Sequence, residues 1–177
     1  MKYLLTMVLI FSKGAFGNNL ESLFALAEAG NPNFQIILGV MYEDGEEVPV
    51  DHAQAVKWYK KAAEQGHVDA QVLLATMYLE GKGVPINYRE GFLWSKKAAE
   101  QGNVAAQSAV GRMYRNGDGV SKDTTKAYIW SLIAMAQGDK SAKKNLKFIK
   151  RNMTKKQKAK ADELANKCWE SNFKDCD

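Results

Sequence analysis

The chain has 177 residues, of which 46% are hydrophobic and 25% are charged, so it is long enough for one globular domain with a sizeable core. It contains three prolines, which permits a mostly helical fold. Residues 139–177 hold twelve Lys or Arg against six Asp or Glu, whereas the other 138 residues hold thirteen against fourteen. The net charge of +5 therefore comes from the C-terminal end, and the rest of the chain is close to neutral.

The first seventeen residues are predicted to be a secretory signal peptide. Lys2 and the amino terminus form a short basic region, residues 3–11 are an apolar run, and the small residues Ala15 and Gly17 fit the positions read by signal peptidase. The run is too short to span a bilayer, and no cysteine follows it to carry a lipid anchor. Cleavage after Gly17 predicts a periplasmic or secreted protein. A buried N-terminal helix is the alternative.

After this segment the sequence repeats itself with a step of 36 residues. The step is kept by Tyr42, Tyr78 and Tyr114, by Trp58, Trp94 and Trp130, and by Gly30, Gly66, Gly102 and Gly138. Repetition at this period is typical of stacked helical units. It assigns the tyrosines and tryptophans to packing between units rather than to an aromatic ladder that binds sugars or peptides.

Each unit is predicted to begin with a helix that ends at glycine. In the clearest unit this helix runs through residues 69–79, and the Gly-Lys-Gly sequence at 81–83 closes it. Its buried face is predicted to consist of Ala70, Leu74, Met77 and Tyr78. The first unit has Glu47 in place of the second glycine, so we expect its loop to differ or to be strained.

The second helix of each unit is predicted to begin at an Asp or Asn and to end before a glycine. The capping residues are Asp51, Asn87 and Asp123, whose side chains can accept the free backbone N–H groups of the first turn. Gln54 and Glu90, three residues beyond their caps, resemble the second half of a capping box. Two such helices form a hairpin that buries its apolar face only by stacking on its neighbours.

The recurring residues are most complete in residues 67–102. They are Ala70, Gln71, Met77, Tyr78, Gly81, Gly83, Val84, Trp94, Ala98, Ala99 and Gly102. This pattern resembles the Sel-1-like repeat, a branch of the tetratricopeptide-like solenoids, and the resemblance covers roughly residues 20–150. It implies an all-α fold, a right-handed α/α solenoid (superhelix) of helix-turn-helix repeats with one concave face.

The fourth unit departs from the pattern and is predicted to cap the solenoid. Lys147 replaces a small residue and Lys150 replaces the repeated tyrosine, so this unit offers no full stacking surface. A closing helix is predicted to start at Thr154. These features divide the chain into a signal peptide (1–17), the repeat solenoid (18–153) and a C-terminal capping helix with its tail (154–177).

The two cysteines lie close together near the C-terminus. Cys168 and Cys176 would form a disulfide in an oxidising compartment and so hold the tail in place. If the chain is not exported, two reduced cysteines are the alternative. The sequence favours the disulfide.

No catalytic or metal-binding pattern is predicted, and we expect no cofactor. His52 and His67 are the only histidines, and no metal-ligand spacing surrounds them. The basic stretch 140–160 has no accompanying nucleic-acid motif. It favours contact with an acidic protein or an anionic envelope surface, with no nucleic-acid partner and at most peripheral membrane association.

The best candidate for a binding site is one face of the first helices, where the residues vary from unit to unit. Two positions four residues apart recur in each unit: Ile36 and Val40, Val72 and Thr76, Ser108 and Arg112, and Lys144 and Phe148. The predicted groove changes from apolar to basic along the stack. The alternative is that Ile36 and Val72 are packing residues.

These observations predict an exported, non-enzymatic module that binds a partner protein, such as an effector, a receptor or an envelope protein, through its concave groove. The resemblance implies a role as an adaptor, as an envelope or host-contact factor, or as an immunity protein that neutralises a toxic effector, and the repeat does not decide between them. One alternative is a periplasmic wall-active hydrolase on the same scaffold. Another is a structural protein that lies on the membrane surface with its basic C-terminal end.

Overall fold

A computed structural model describes residues 16–174 and residue 176. In this part of the chain it contains nine α-helices and no strand. They are α1 (Phe16–Glu28), α2 (Pro32–Asp44), α3 (His52–Glu64), α4 (Val68–Glu80), α5 (Tyr88–Glu100), α6 (Val104–Asn116), α7 (Thr124–Ala136), α8 (Lys140–Arg151) and α9 (Lys155–Glu170). None of these helices is long and apolar enough to cross a bilayer. Residues 1–15 of the predicted signal peptide lie outside the described residues.

The helices pack in pairs, and the pairs stack in chain order. Units 1, 2 and 3 are the pairs α2–α3, α4–α5 and α6–α7, and the second helix of each unit packs on the first helix of the next. Helix α1 starts 36 residues before α3 and packs on α2, so it occupies the place of a second helix ahead of unit 1. The predicted all-α solenoid is confirmed.

The predicted caps of the second helices are confirmed. The side chains of Asp51, Asn87 and Asp123 accept a hydrogen bond from the backbone N–H three residues further on, at 3.0, 3.1 and 2.9 Å. At the other end, Gly66, Gly102 and Gly138 have φ values of 88°, 87° and 96°, the left-handed conformation that closes a helix.

The capping boxes predicted from Gln54 and Glu90 are wrong. The backbone N–H of each cap residue, which a box would satisfy, already donates to a carbonyl of the preceding helix: Asp51 to Tyr42 at 2.8 Å and Asn87 to Tyr78 at 2.9 Å. Among the described helices the reciprocal box is formed at the start of α9, between Thr154 and Gln157.

The loops within the units keep a left-handed residue at the position of their second glycine, including the loop of unit 1, where that glycine is replaced by Glu47. Gly83 and Gly119 have φ values of 70° and 73°, and a β-carbon on either would collide with a backbone carbonyl, that of His52 or of Tyr88. Glu47 occupies the matching position with a φ of 61°. The loop of unit 1 is therefore strained rather than different.

The repeated tryptophans are buried, which confirms that they serve packing. Trp58 and Trp94 are shielded further by the lysines of the Lys-Ala-Ala sequence, since the Nζ atoms of Lys61 and Lys97 each lie 4.1 Å from an indole ring centroid. Ile133 takes the place of this lysine in unit 3, and Trp130 is fully buried.

Buried glutamines connect one unit to the next. The side-chain nitrogen of Gln71 donates to the carbonyl of Ala63 in the preceding unit, at 3.2 Å, while its oxygen accepts from Gln101 at 2.9 Å. The same two bonds recur around Gln35 and Gln107. Unit 4 has Lys143 at this position, and that side chain is exposed.

Unit 4 does not form a regular hairpin. Helix α9 makes its main contacts with α7 rather than with α8, because Lys147 and Lys150 are exposed on α8 instead of packing under a second helix. The hydroxyl of Tyr128 on α7 donates to Asp162 on α9 at 2.7 Å. The departure predicted from the two lysines is thus present in the structure.

The C-terminal tail folds back along the stack. A disulfide joins Cys168 of α9 to Cys176, and both cysteines are buried. Phe173 makes an edge contact with Trp169, at 5.5 Å between ring centroids, and its ring also lies beside Gly102 in unit 2. The tail therefore contacts a unit well before the one that it follows.

Candidate protein-binding face

The face formed by the eight predicted positions on α2, α4, α6 and α8 is called the first-helix face below. Its N-terminal half belongs largely to the core. Ile36 is 3% exposed within a buried cluster, and Val40 packs against that cluster. Val72 packs against the main core, and the hydroxyl of Thr76 donates to the carbonyl of Val72 at 3.0 Å. Ile36 is thus a packing residue and offers almost no surface to a partner.

The C-terminal half of the first-helix face is accessible. Arg112 and Lys144 are exposed, and Phe148 is 53% exposed, which is unusual for a phenylalanine. The hydroxyl of Ser108 donates to Asp139 at 2.9 Å and so ties α6 to the N-terminal cap of α8. Three of the four predicted residues here can therefore reach a partner, and the fourth holds their helices together.

An open cleft of about 700 Å³ extends this half of the face. It is lined by Phe148, by Arg115 and Asn116 at the end of α6, and by Asp118 and Lys122 in the loop that follows. The guanidinium carbon of Arg115 lies 5.2 Å from the Phe148 ring centroid. Asn116 accepts from Arg115 at 3.1 Å and donates to Asp118 at 3.0 Å, which fixes the polar wall.

The sequence did not identify Arg115 or Lys122 as site residues. Neither residue occupies one of the two repeated positions. Both belong to unit 3 and line the cleft together with Phe148 of unit 4, so their proximity depends on how the two units pack. The only signal in the sequence is that both are basic and flank the Gly-Asp-Gly loop at 117–119.

The net charge of the first helices changes sign along the stack. Helices α2 and α4 each carry −2, α6 carries +2 and α8 carries +6. The residues are Glu43 and Asp44, then Asp69 and Glu80, then Arg112 and Arg115, then Lys140, Lys143, Lys144, Lys147, Lys150 and Arg151. The second helices α3, α5, α7 and α9 carry +2, +1, +1 and +2, so the gradient belongs to the first helices alone.

The two histidines do not assemble a catalytic group. Nδ1 of His52 and Nδ1 of His67 are buried without a hydrogen-bond partner, and Nε2 of His67 lies 3.2 Å from Asn33 Oδ1. Within the described residues no carboxylate or hydroxyl is bonded to either ring. The same part of the chain has no cluster of three or more His, Cys, Asp or Glu that fits a metal ion.

Two buried tyrosines act as hydrogen-bond donors to carboxylates. Burial, and then the 2.8 Å bond to Glu43, raise the pKa of Tyr59 far above its usual range. Burial and the bond to Asp162 do the same to the pKa of Tyr128. Both hydroxyls stay protonated at neutral pH and serve packing between helices.

Comparison with known proteins agrees with this architecture. The family model of the Sel1 repeat matches residues 32–67, 68–103 and 104–139. A search of curated proteins gives no match. Sel1 repeat proteins generally mediate protein–protein interaction.

Two solved structures are similar to this chain. One is a Sel1 repeat protein from Oxalobacter formigenes, with 36% sequence identity and a TM-score of 0.67 over 70% of this chain and 51% of that one. The other is a protective antigen with an SLR fold, present in uropathogenic Escherichia coli strains, with 40% identity and a TM-score of 0.66 over 70% of this chain and 27% of that one. This chain thus matches about half of the first structure and about a quarter of the second. The three matched repeats and this identity place the chain in the Sel1 repeat family.

Proposed function

We propose that this protein is an exported, non-enzymatic interaction module that binds a partner protein through the first-helix face. The observation that carries the proposal is the exposure of Arg112, Lys144 and Phe148 at positions where the repeat is free to vary. The repeated tryptophans and the repeated glutamines Gln35, Gln71 and Gln107 are buried, so they serve the architecture. Variable exposed residues on a regular scaffold are where a repeat protein carries its specificity.

Export is supported by the basic and apolar segment at residues 1–17 and is compatible with the disulfide between Cys168 and Cys176. The test is the intact mass of the protein recovered from the periplasm of a bacterial host. A mature chain that starts at Asn18 supports export, whereas a chain that keeps residues 1–17 in the cytosolic fraction contradicts it.

The binding face is tested by placing a photo-crosslinking amino acid at single exposed positions in the native host. We expect one partner to be captured from Arg112 and from Lys144, on first helices, and not from Lys57 on α3, which is also exposed. Capture from Lys57 alone, or equal capture from all three positions, would contradict the proposed face. The identity of the partner then separates an immunity role, with a toxic effector, from an envelope adaptor role.

A further inference from the structure

We infer that the first-helix face binds an extended segment of its partner in one orientation, with an acidic stretch of the segment over α6 and α8. This inference rests on the proposed function, because it specifies the chemistry of the partner for the same face. The change of charge along the first helices and the cleft beside Phe148 carry it together.

Within residues 16–174 and residue 176, no ion pair neutralises the charge on α8. Among the described residues, no carboxylate lies within salt-bridge distance of any of the six bases on α8 or of the two arginines on α6. Eight cations crowded on two neighbouring helices repel one another, and this repulsion is relieved when an anion binds. The C-terminal half of the face is therefore complementary to carboxylates.

The cleft adds contacts that a bare positive surface does not have. Phe148 offers an apolar ring next to the guanidinium of Arg115, and Asn116 and Asp118 also line the cleft and provide hydrogen-bonding groups. A polypeptide matches this mixture, since an acidic segment also carries backbone amides and apolar side chains. We expect a hydrophobic side chain of the segment to lie on Phe148, next to carboxylates paired with Arg112 and Lys144.

The acidic residues on α2 and α4 argue against a uniformly anionic partner. A membrane surface or a nucleic acid would place negative charge along all four first helices, including α2 and α4, where Asp44 and Asp69 are exposed. A peptide can be acidic at one end and neutral or basic at the other. Helices pack about 9 Å apart, so four first helices span roughly 30 Å, the length of about nine extended residues.

The test uses synthetic peptides of about twelve residues with a fluorescent label. One peptide has its Glu residues and a Leu in one half and its Lys residues in the other. A second has the same composition with the charges alternating. We expect the full chain to bind the first peptide about ten-fold more tightly than the second, measured by fluorescence anisotropy, and raised salt to weaken binding.

Charge reversal on the protein locates the site. Arg112→Glu with Lys144→Glu is expected to weaken binding of the first peptide by at least about ten-fold. The matched control is Lys155→Glu with Lys156→Glu, which changes the net charge equally on exposed α9 residues, and it is expected to change binding by less than about two-fold. Phe148→Ala is expected to weaken binding by about five-fold, and the equally exposed Ile86→Ala to leave it unchanged.

Four results would overturn the inference. The two peptides could bind equally, or the α9 control could lose as much affinity as the first-helix variant, because attraction by net charge alone predicts both. Alternatively, vesicles of anionic phosphatidylglycerol or a DNA duplex could bind with the same dependence on Arg112 and Lys144, which would assign the face to a membrane or a nucleic acid. If the peptides fail while photo-crosslinking from Arg112 still captures a protein, the proposed function stands and the acidic chemistry is wrong.

Discussion

The side-chain oxygen of Gln71 accepts a hydrogen bond of 2.9 Å from the side-chain nitrogen of Gln101, although the two residues are 30 positions apart. The nitrogen of Gln71 donates in turn to the carbonyl of Ala63 in the preceding unit. One buried amide thus satisfies both of its polar ends and fixes two units relative to each other. Buried polar groups of this kind specify a register because any shift leaves them unpaired.

Replacing this amide should destabilise the stack. Gln71→Leu keeps the approximate volume but removes the hydrogen bonds from Gln71 to the Ala63 carbonyl and from Gln101 to Gln71, so we expect a loss of about 1–3 kcal/mol of unfolding free energy. Urea denaturation followed by circular dichroism measures it. The matched control is Lys143→Leu, at the corresponding exposed position of unit 4, and equal effects of the two substitutions would refute the structural role of the amide.

Substitutions at the left-handed loop positions 83 and 47 should change the stability of the protein in opposite directions. Gly83→Ala forces a β-carbon into the backbone carbonyl of His52, and we expect it to cost about 2–4 kcal/mol of stability. Glu47→Gly removes the strain at a φ of 61° and should add about 1 kcal/mol. Both are measured as shifts of the urea midpoint. A loss of stability in Glu47→Gly would show that the Glu47 side chain compensates for its own strain.

Changing a residue to glutamate should have different effects on stability in the two halves of the first-helix face. Val72→Glu places a charge against the main core, and we expect a loss of about 1–3 kcal/mol of stability together with any loss of binding. Arg112→Glu lies in solvent and should leave the melting temperature within a few degrees of wild type. Thermal melts and partner binding are measured on the same samples. If Arg112→Glu lowered the melting temperature as much as Val72→Glu, the division of the face into a core half and an exposed half would be wrong.

The disulfide should stabilise α9 and the tail without affecting the first-helix face. Cys168 and Cys176 are 8 residues apart in the sequence. A disulfide that closes a loop of this size adds about 2–3 kcal/mol to the free energy of unfolding, because it lowers the conformational entropy of the unfolded chain. In Cys168→Ser with Cys176→Ser we expect faster hydrogen exchange at the end of α9 and in the tail beside Gly102. Exchange in α6 should not change. Loss of protection in α6 would mean that the tail supports the first-helix face.

Tyr59 should make the protein sensitive to alkaline pH. Because its pKa is raised in the folded state, the fold favours the neutral phenol. Its contribution is complete below the pKa of 10.0 of an exposed tyrosine and is lost progressively as the pH rises above that value. Tyr59→Phe should be less stable at pH 8 and should lose less stability between about pH 9 and about pH 11. Tyr88→Phe, at an exposed position, serves as the control and should follow the wild type in urea denaturation at each pH.

Local chemistry explains which structural features were predictable. Asp51 and Asn87 cap their helices with atoms three residues away, and Gly66 closes a helix by its own conformational freedom, so these features are readable without knowing the fold. The capping box at Gln54 was predicted by the same local rule and failed. The backbone N–H of Asp51 is used by Tyr42, a partner from the previous helix that no local rule includes.

The sequence by itself determined the period, the caps of the second helices and the buried tryptophans, because a repeated unit must repeat the contacts that stack it. Only the tertiary structure decided which of the matched positions are exposed. Ile36 and Lys144 are at equivalent places in the repeat, yet one is buried and the other is exposed. The difference arises from the neighbouring helices, which cover the first helix of unit 1 but leave α8 exposed, because α9 packs on α7 instead. Which helix covers a given side chain depends on contacts between units, and these are not visible in the repeat itself.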